Sequence, residues 1–238
     1  MTLASFPRPL KAAVFGASGG IGGAICAALT REPAVTLHAF SRSGRAPEDV
    51  EARRFDVEDE ASVAAAAEAA GPLDLCVVAV GRLHGEGLAP EKDMRALDME
   101  RLTASFRANA AGPALIGKHV LPRLPRRRRC VFAVLSARVG SVGDNRLGGW
   151  YGYRASKAAL NMILKNFAIE LGRRRPEAVV LGLQPGTVET ALSKPFRGSA
   201  ISVMTPDESA NRLLDVIDHA EPSWSGGLYD WRGERLPY

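Results

Sequence analysis

The fold prediction rests on the stretch Lys11-Ala-Ala-Val-Phe-Gly16-Ala-Ser-Gly19-Gly20-Ile-Gly22. Residues 12–15 form a short apolar run, which is typical of a strand buried on both faces. Gly16 permits a tight turn, Gly20 lets the backbone approach a bound group closely, and Gly22 lets the following helix pack on the strand. The N–H groups and dipole at such a helix start attract phosphates. Although its spacing is GxxxGxG and not GxGxxG, the stretch predicts a dinucleotide-binding strand–helix unit.

The rest of the chain alternates short apolar runs with longer amphipathic ones. Runs typical of buried parallel strands occupy residues 11–16, 35–40, 73–80, 130–136 and 178–184. Helical patterns occupy residues 20–31, 59–70, about 98–121, about 151–173 and 206–219, with Asp59 and Thr205 in N-cap positions. This alternation predicts a doubly wound α/β fold. Because no linker or repeat divides the chain, we expect a single domain over residues 1–238.

Composition excludes several classes of protein. The 46% hydrophobic and 24% charged content excludes a disordered chain. Cys26, Cys76 and Cys130 lie in apolar segments without CxxC spacing and predict core residues in a reducing compartment. No apolar run reaches the roughly 20 residues of a membrane span, and the N-terminal stretch lacks the apolar run of a signal peptide. We therefore expect a soluble cytoplasmic protein without a membrane partner.

The formal net charge of +5 includes a block of four arginines at 126–129. Such a block could bind nucleic acid or could be a solvated loop. Because no interleaved aromatic residues or nucleic-acid motif accompany it, the solvated loop is favoured and we expect no nucleic-acid partner. The four histidines are scattered without the spacing of metal ligands, so no metal site is predicted.

The end of the second strand bears on the choice between the two nicotinamide dinucleotides. A carboxylate there would bind the ribose 2′-hydroxyl of NAD. This sequence has Ser41 and Arg42, and no carboxylate precedes Glu48. The Ser41 hydroxyl and the Arg42 guanidinium can both bind a 2′-phosphate, although Arg42 could instead point into solvent. The sequence thus favours NADP(H) over NAD(H).

Tyr153 and Lys157 are four residues apart in a helical stretch, which places them on one face, one turn apart. A free tyrosine has a pKa of about 10, and a neighbouring ammonium group lowers that pKa. The pair is therefore a candidate general acid or base. Because such a pair also occurs by chance, it indicates catalysis only together with other motifs in the chain.

In chain order, Gly16-x-x-x-Gly20-Ile-Gly22, Asn109, Tyr153-x-x-x-Lys157 and Pro185-Gly-Thr resemble the motifs of the short-chain dehydrogenase/reductase family. Residues 136–161 further resemble its C-factor-like branch. The resemblance covers the chain from about residue 11 onward and implies a Rossmann-type, mostly parallel seven-stranded sheet with helices on both faces. It implies an oxidoreductase that interconverts a carbonyl and a secondary alcohol on a small-molecule substrate. It also implies a homodimer or homotetramer packed through the long fourth and fifth helices.

The resemblance implies roles for individual residues. Tyr153 would exchange a proton with the substrate oxygen. Lys157 would hold the ribose hydroxyls and lower the pKa of Tyr153, and Asn109 would hold a water that links Lys157 to solvent. Besides Tyr153 and Lys157, the predicted cofactor-binding residues are Gly16, Ser18, Gly19, Gly20, Ile21, Gly22, Ser41, Arg42, Asp56, Val57, Val80, Gly81, Pro185, Gly186, Val188 and Thr190.

Three positions depart from the family pattern. Phe15 replaces a threonine that steadies the glycine loop, and Ala79-Val-Gly81 replaces Asn-Asn-Ala-Gly. The family ends its fifth strand with two serines, of which the second polarises the substrate carbonyl, but this chain has Ser136-Ala137. We predict Ser136 for that role, with Ser141 or no hydroxyl as alternatives; losing such a donor costs about 3 kcal/mol of transition-state stabilisation. These departures support an alternative function, a cofactor-binding signalling or regulatory protein with little or no turnover.

Loops at the carboxyl ends of parallel strands offer further candidates for substrate contact. They are His84 and Glu86, Asp144 and Asn145, and the aromatic residues Trp150, Tyr151 and Trp224. A mobile surface loop is the alternative for the first pair, and core packing is the alternative for the aromatic residues. Residues 192–205 stand where the family has a substrate lid.

Overall fold

The computed structural model describes residues 3–47, 50–85, 89–196 and 202–238. Its strands are β1 (Leu10–Phe15), β2 (Val35–Ser41), β3 (Ala52–Arg54), β4 (Leu75–Val78), β5 (Cys130–Leu135), β6 (Ala178–Gln184), β7 (Gly227–Asp230) and β8 (Arg235–Leu236). They form one sheet in the order β3-β2-β1-β4-β5-β6-β7-β8. Every neighbouring pair is parallel except β7 with β8. The predicted mostly parallel sheet is confirmed, with a short antiparallel edge strand that makes eight strands, not the seven expected.

The helices are α1 (Gly20–Thr30), α2 (Glu60–Ala70), α3 (Met99–Phe106), α4 (Gly112–Val120), α5 (Tyr151–Gly172) and α6 (Pro206–His219). The predicted helix over residues 98–121 is α3 and α4 joined through a π-helical turn, Arg107–Ala111. Both predicted N-caps are confirmed: the Asp59 side chain accepts from the N–H of Ala61, and Thr205 forms a capping box with Glu208.

The two faces of the sheet are covered by different helices. Successive residues of β1 point to opposite sides, so that Val14 packs in the cluster formed with α1 and α6, whereas Phe15 packs in the cluster formed with α2, α4 and α5. Burial on both faces explains why the strands read as nearly continuous apolar runs. The order in which successive strands are added reverses between β1 and β4. Ligands of open α/β sheets bind at the carboxyl ends of the strands at such a position.

Part of the arginine block is structural. Arg128 lies 2.7 Å from the fully buried Asp74 carboxylate. The Arg129 guanidinium donates to the carbonyl oxygens of Ile217, Asp218 and Ala220, where it neutralises the end of α6. The interpretation of the block as a solvated loop therefore holds only for its first two residues, which are exposed.

Candidate active site

A cavity of about 600 Å³ opens at the carboxyl edge of the sheet above β1 and β4. Its volume is within the range of small-molecule and cofactor sites, about 300–1,000 Å³. The lining brings together these predicted cofactor positions: Gly16, Ser18, Gly19, Arg42, Asp56, Val57, Val80 and Gly81. Residues from four separate loops thus meet at the place that the glycine motif predicted.

The glycine loop has no room for side chains at its two ends. Gly16 has a φ of +102°, and a Cβ there would be 2.7 Å from the carbonyl oxygen of Ala79. A Cβ on Gly22 would collide with the carbonyl oxygen of Gly16. Gly19 caps α1 without a side-chain hydrogen bond, and the first turn of α1 contains no acidic residue. The N–H groups at the start of α1 are therefore available to an anionic ligand.

The segment after β6 lies against the same loop. A Cβ on Gly20 would be 2.7 Å from Cγ2 of Thr190, so Thr190 covers the exposed backbone there. The Pro185 carbonyl oxygen accepts a hydrogen bond from the Ser209 hydroxyl at 2.9 Å, and Gly186 has a φ of +83°. Two predicted cofactor positions have structural surroundings instead: Val188 is buried, and Ile21 packs against the hydrophobic core.

The two residues predicted to bind a 2′-phosphate, Ser41 and Arg42, have different surroundings at the end of β2. Arg42 lines the cavity, and no described residue forms a hydrogen bond or ion pair with its guanidinium. Ser41 is 1% exposed, and its hydroxyl donates to the carbonyl oxygen of Arg45 at 2.6 Å and accepts from the Arg45 N–H at 3.0 Å. The Ser41 hydroxyl therefore closes the turn after β2 in this structure, and its predicted phosphate contact stays a prediction.

Aromatic packing compensates for the threonine hydrogen bond that Phe15, the first departure from the family pattern, cannot make. Its ring stacks on Phe40 with a centroid distance of 4.8 Å and meets Phe55 edge-on at 5.3 Å. Phe55 also lines the cavity. Aromatic packing beneath the loop thus supports β1, β2 and the segment after β3 in place of the missing threonine hydrogen bond.

Helix α5 brings Tyr153 and Lys157 together at this edge of the sheet. The Lys157 Nζ lies 5.9 Å from the centroid of the Tyr153 ring and donates to the carbonyl oxygen of Leu135 at 2.8 Å. Burial lowers the pKa of Lys157 to about 8 and raises the pKa of Tyr153 to about 12. Burial of the phenol thus opposes the lowering of the Tyr153 pKa by Lys157, which stays a prediction.

Asn109 lies fully buried in the π-helical turn. Its side-chain amide donates to the carbonyl oxygen of Arg82 at 2.8 Å and to the Ser156 hydroxyl at 3.2 Å, and it accepts from the N–H of Arg82 at 2.8 Å. A Cβ on Gly81 would be 3.4 Å from the Asn109 Oδ1 and 3.6 Å from the Lys157 Nζ. Asn109 therefore ties the loop after β4 to α5 beside Lys157, and its predicted water-holding role stays a prediction.

The hydroxyls of both candidate serines are buried. Ser136 is 4% exposed and donates to Asn161 Oδ1 at 2.7 Å. Ser141 is 1% exposed and accepts from the N–H of Asp144 at 3.1 Å. Ala137, between them, is partly exposed. The Ser136 hydroxyl is thus bonded to Asn161 in this structure, and its use in polarising the carbonyl stays a prediction.

The other sequence candidates separate into two groups. Trp150 contacts the Tyr153 ring edge-on, with the centroids 6.3 Å apart. His84 lines the cavity, and its Nε2 lies 3.2 Å from the Ala191 carbonyl oxygen. By contrast, Trp224 stacks on Tyr229 at 4.5 Å and packs against the core. Glu86 and residues 197–201 of the predicted lid lie outside the described residues.

Sequence reasoning missed Glu91, which is 3% exposed in front of α5. One carboxylate oxygen accepts from the N–H of Gly152 at 3.1 Å, and the backbone carbonyl oxygen accepts from the N–H of Trp150. Glu91 therefore caps the helix that carries Tyr153 and Lys157. No local pattern could have identified it, because Glu91 and Gly152 are 61 positions apart.

Within residues 3–47, 50–85, 89–196 and 202–238, no three or more His, Cys, Asp or Glu side chains gather as a metal site would require. Among the helices of the described part of the chain, none is both long and apolar enough to cross a membrane.

The chain is similar in sequence to known proteins. The family model for short chain dehydrogenases matches residues 11–200. A 1-hydroxy-2-glutathionyl-2-methyl-3-butene dehydrogenase of Rhodococcus sp. (strain AD45) is 35% identical over 171 residues, 72% of this chain and 73% of that protein. The C-signal protein of Myxococcus xanthus is 35% identical over 143 residues, 60% of this chain and 81% of that protein.

Solved structures share the fold. An NADPH-bound carbonyl reductase from chicken fatty liver superposes with a TM-score of 0.82 at 22% identity, over 96% of this chain and 99% of that one. Because the family model matches most of the chain, and a relative 35% identical is covered over 73% of its length, membership is shown by sequence. The chain belongs to the short-chain dehydrogenase family of oxidoreductases.

Proposed function

We propose that the protein is an NADP(H)-dependent oxidoreductase that interconverts a carbonyl and a secondary alcohol. The observation that carries the proposal is the joint position of two features. Tyr153 and Lys157 lie one turn apart on α5. The Lys157 Nζ lies next to Gly81, which lines the cavity: a Cβ on Gly81 would be 3.6 Å from it. A binding site for an anionic dinucleotide and a candidate proton donor thus stand next to each other.

The residues present fit a nicotinamide dinucleotide. The glycine loop leaves the N–H groups at the start of α1 available to the pyrophosphate, and a Cβ on Gly16 would close the turn against Ala79. Asp56, Val57, Val80 and Gly81 all line the cavity. The first two would lie against the adenine, and the other two against the adenine-side ribose. When bound, the nicotinamide supplies or accepts the hydride.

Tyr153 is the proposed general acid for carbonyl reduction. Its pKa of about 12 keeps the phenol protonated at neutral pH, as a proton donor must be. Lys157, with a pKa of about 8, carries a positive charge at neutral pH. One of its three N–H donors is used by Leu135, which leaves the others for hydroxyl groups of the ribose. An anionic oxygen that develops at Tyr153 would be stabilised by this charge.

The preference for NADP(H) over NAD(H) rests on Arg42. Its guanidinium lines the cavity without a partner among the described residues, and a 2′-phosphate offers the planar, charged contact that guanidinium groups favour. Ser41 is not part of this proposal.

A cofactor-binding protein with little turnover remains the second candidate. The observation that favours it is the burial of the Ser136 and Ser141 hydroxyls, with Ala137 where the family places its polarising serine. Absence of one such donor slows acyl-type and carbonyl chemistry by about 10²–10³-fold without abolishing it. The oxidoreductase therefore stays the leading proposal.

We further propose a homodimer or homotetramer that assembles through α3 and α5. Met99 on α3 is 76% exposed, and Met162 on α5 is 63% exposed. Helices α3 and α5 pack against each other, and exposed large apolar side chains often mark contact surfaces, so these two helices are the ones we expect a second copy to cover. Size-exclusion chromatography with light scattering tests this: Met162→Lys should shift the protein toward a monomer, and a wild-type monomer would contradict it.

The experiment that tests the proposed function measures NADPH binding and NADPH oxidation on one preparation. We expect saturable binding by calorimetry and carbonyl-dependent loss of absorbance at 340 nm with a panel of ketones and aldehydes. Absence of binding at millimolar NADPH would contradict both candidate functions. Tight binding without oxidation across the panel would favour the second candidate.

A further inference from the structure

Three aromatic side chains from distant parts of the chain meet beside Tyr153. The Trp150 ring contacts the Tyr153 ring edge-on at 6.3 Å and the Phe196 ring edge-on at 5.2 Å. The His84 ring meets Phe196 edge-on at 5.5 Å. We call His84, Trp150 and Phe196 the aromatic rim. Because His84 also lines the cavity, the rim borders the same opening.

Trp150 holds an unfavourable backbone conformation. Its φ of +51° and ψ of +43° are left-handed, and the only other described non-glycine residue with a positive φ is Ala34. A bulky side chain disfavours this region, and such residues cluster at functional sites where surrounding structure enforces them. Gly148 and Gly149 directly before it are also left-handed, so the turn as a whole directs Trp150 toward Tyr153.

Glu91 enforces this turn from outside it. Its backbone carbonyl oxygen accepts from the N–H of Trp150, and its carboxylate accepts from the N–H of Gly152 at 3.1 Å. A Cβ on Gly152 would be 2.9 Å from the same carboxylate, so the fit permits no side chain there. A buried acidic residue thus fixes both residues that flank Tyr151.

The other two rings are held as well. The His84 Nε2 lies 3.2 Å from the Ala191 carbonyl oxygen and 3.1 Å from that of Leu192, two acceptors that require the nitrogen to carry its proton. Phe196 lies between the rings of His84 and Trp150. Aromatic rings prefer edge-to-face or offset contacts with a further ring, so a rim held in this way favours a flat guest over a puckered one.

We propose that the aromatic rim recognises a flat aromatic or conjugated group attached to the reacting carbonyl carbon, with Trp150 as the specificity-determining residue and Glu91 as the residue that positions it. The proposal rests on the proposed function, because Tyr153 defines where the carbonyl lies. It gives the substrate class as aryl or conjugated ketones and aldehydes and the corresponding alcohols.

The test compares two ketones of similar size, acetophenone and its saturated analogue cyclohexyl methyl ketone. For the wild type we expect kcat/KM to favour acetophenone by about tenfold, the worth of one or two aromatic contacts. Trp150→Leu keeps an apolar side chain but removes the ring, and should bring the ratio close to one. Trp150→Gly relieves the backbone conformation, which offsets part of the lost ring packing, and it should lose the ratio too.

Two controls separate specificity from general damage. Tyr151→Leu changes an aromatic neighbour that is 37% exposed and should leave the ratio unchanged. Glu91→Gln retains an acceptor for the Gly152 N–H and should retain the ratio. Glu91→Ala should lower the ratio by raising the KM for acetophenone. All variants should bind NADPH as the wild type does.

The proposal is overturned if the wild type turns over both ketones equally, or if Trp150→Leu keeps the wild-type ratio. When neither ketone is turned over, the proposed function has failed, and the rim is then tested by binding alone. Saturation-transfer NMR with the two alcohol analogues and NADP⁺ should show preferential binding of 1-phenylethanol that Trp150→Leu removes. Equal binding of the two alcohols would overturn the proposal independently of turnover.

Discussion

Helices α1 and α5 both begin at the carboxyl edge of the sheet, but their first turns are completed differently. The first turn of α1 has no side-chain cap and no acidic residue. The first turn of α5 receives the buried carboxylate of Glu91 on the N–H of Gly152. The open start of α1 suits an anionic ligand, whereas the closed start of α5 holds Tyr153 and Lys157 in a fixed place.

In the proposed function, binding and chemistry use different parts of the backbone. At α1 the ligand contacts would be N–H groups, which favour glycines and an empty cap. At α5 the proposed working groups are side chains, and the helix start is filled by another residue of the protein. The two regions should therefore respond to mutation separately.

The largest expected effect comes from Lys157→Met, which removes the charge beside Tyr153. We expect carbonyl reduction to fall about 10³-fold. The same variant should be more stable at pH 7. Burial lowers the pKa of Lys157 from 10.5 to about 8, so below pH 8 the folded protein holds a charge that the unfolded chain solvates better.

The size and pH dependence of that gain can be checked by urea unfolding. The pKa shift corresponds to about 3 kcal/mol, and the lost hydrogen bond to Leu135 offsets about 1 kcal/mol, which leaves a gain of about 2 kcal/mol. The gain should be full below pH 8 and should shrink as the pH rises toward 10.5, where the unfolded lysine also loses its proton. A variant less stable than the wild type at pH 7 would contradict this account.

Gly19→Asp would make the start of α1 resemble that of α2, which Asp59 caps. The extended backbone of Gly19, with φ −77° and ψ 158°, suits an N-cap aspartate. We expect unchanged or slightly higher thermal stability and a loss of NADPH affinity of about 100-fold, because the carboxylate repels phosphates. Calorimetry measures both, with the uncharged Gly19→Asn as control; equal affinity for Gly19→Asp and the wild type would place the cofactor elsewhere.

Arg42→Ala should weaken NADPH binding by about 10- to 100-fold and leave NADH binding unchanged, since a charged hydrogen bond is worth about 1.5–3 kcal/mol. Arg126→Ala changes the net charge equally at an exposed position outside the cavity lining and should affect neither cofactor. An equal loss for both cofactors in Arg42→Ala would mean that the guanidinium contacts a group that they share.

The smallest expected effect is a gain. Ala137→Ser supplies a hydroxyl at the partly exposed position that the family uses, and should raise kcat by about tenfold through an added donor to the carbonyl oxygen. Ser136→Ala serves as the matched control: it breaks the bond to Asn161 and should cost about 1 kcal/mol of stability with little change in kcat. A large kcat loss in Ser136→Ala would instead support the predicted role of Ser136.

The contrast between α1 and α5 also explains what could be predicted from sequence. The glycine loop, the strand runs and the cap at Asp59 depend on neighbours within a few residues, and all three are observed. Sequence reasoning is weakest where a distant residue decides the surroundings of a side chain. The Ser136 hydroxyl is hydrogen-bonded to Asn161, and Glu91 caps a helix 61 positions away. Ser41 is the exception, because its partner Arg45 is local and the turn that binds its hydroxyl was not anticipated.

The central claim is that α1 binds the cofactor and α5 performs the chemistry. Paired measurement of NADPH affinity and of ketone-dependent NADPH oxidation in the wild type and Tyr153→Phe tests it most directly. We predict the same dissociation constant within about twofold and a loss of turnover of about 10³-fold, because only the proton donor is removed. A Tyr153→Phe variant that oxidises NADPH at the wild-type rate, or that no longer binds it, would contradict the account.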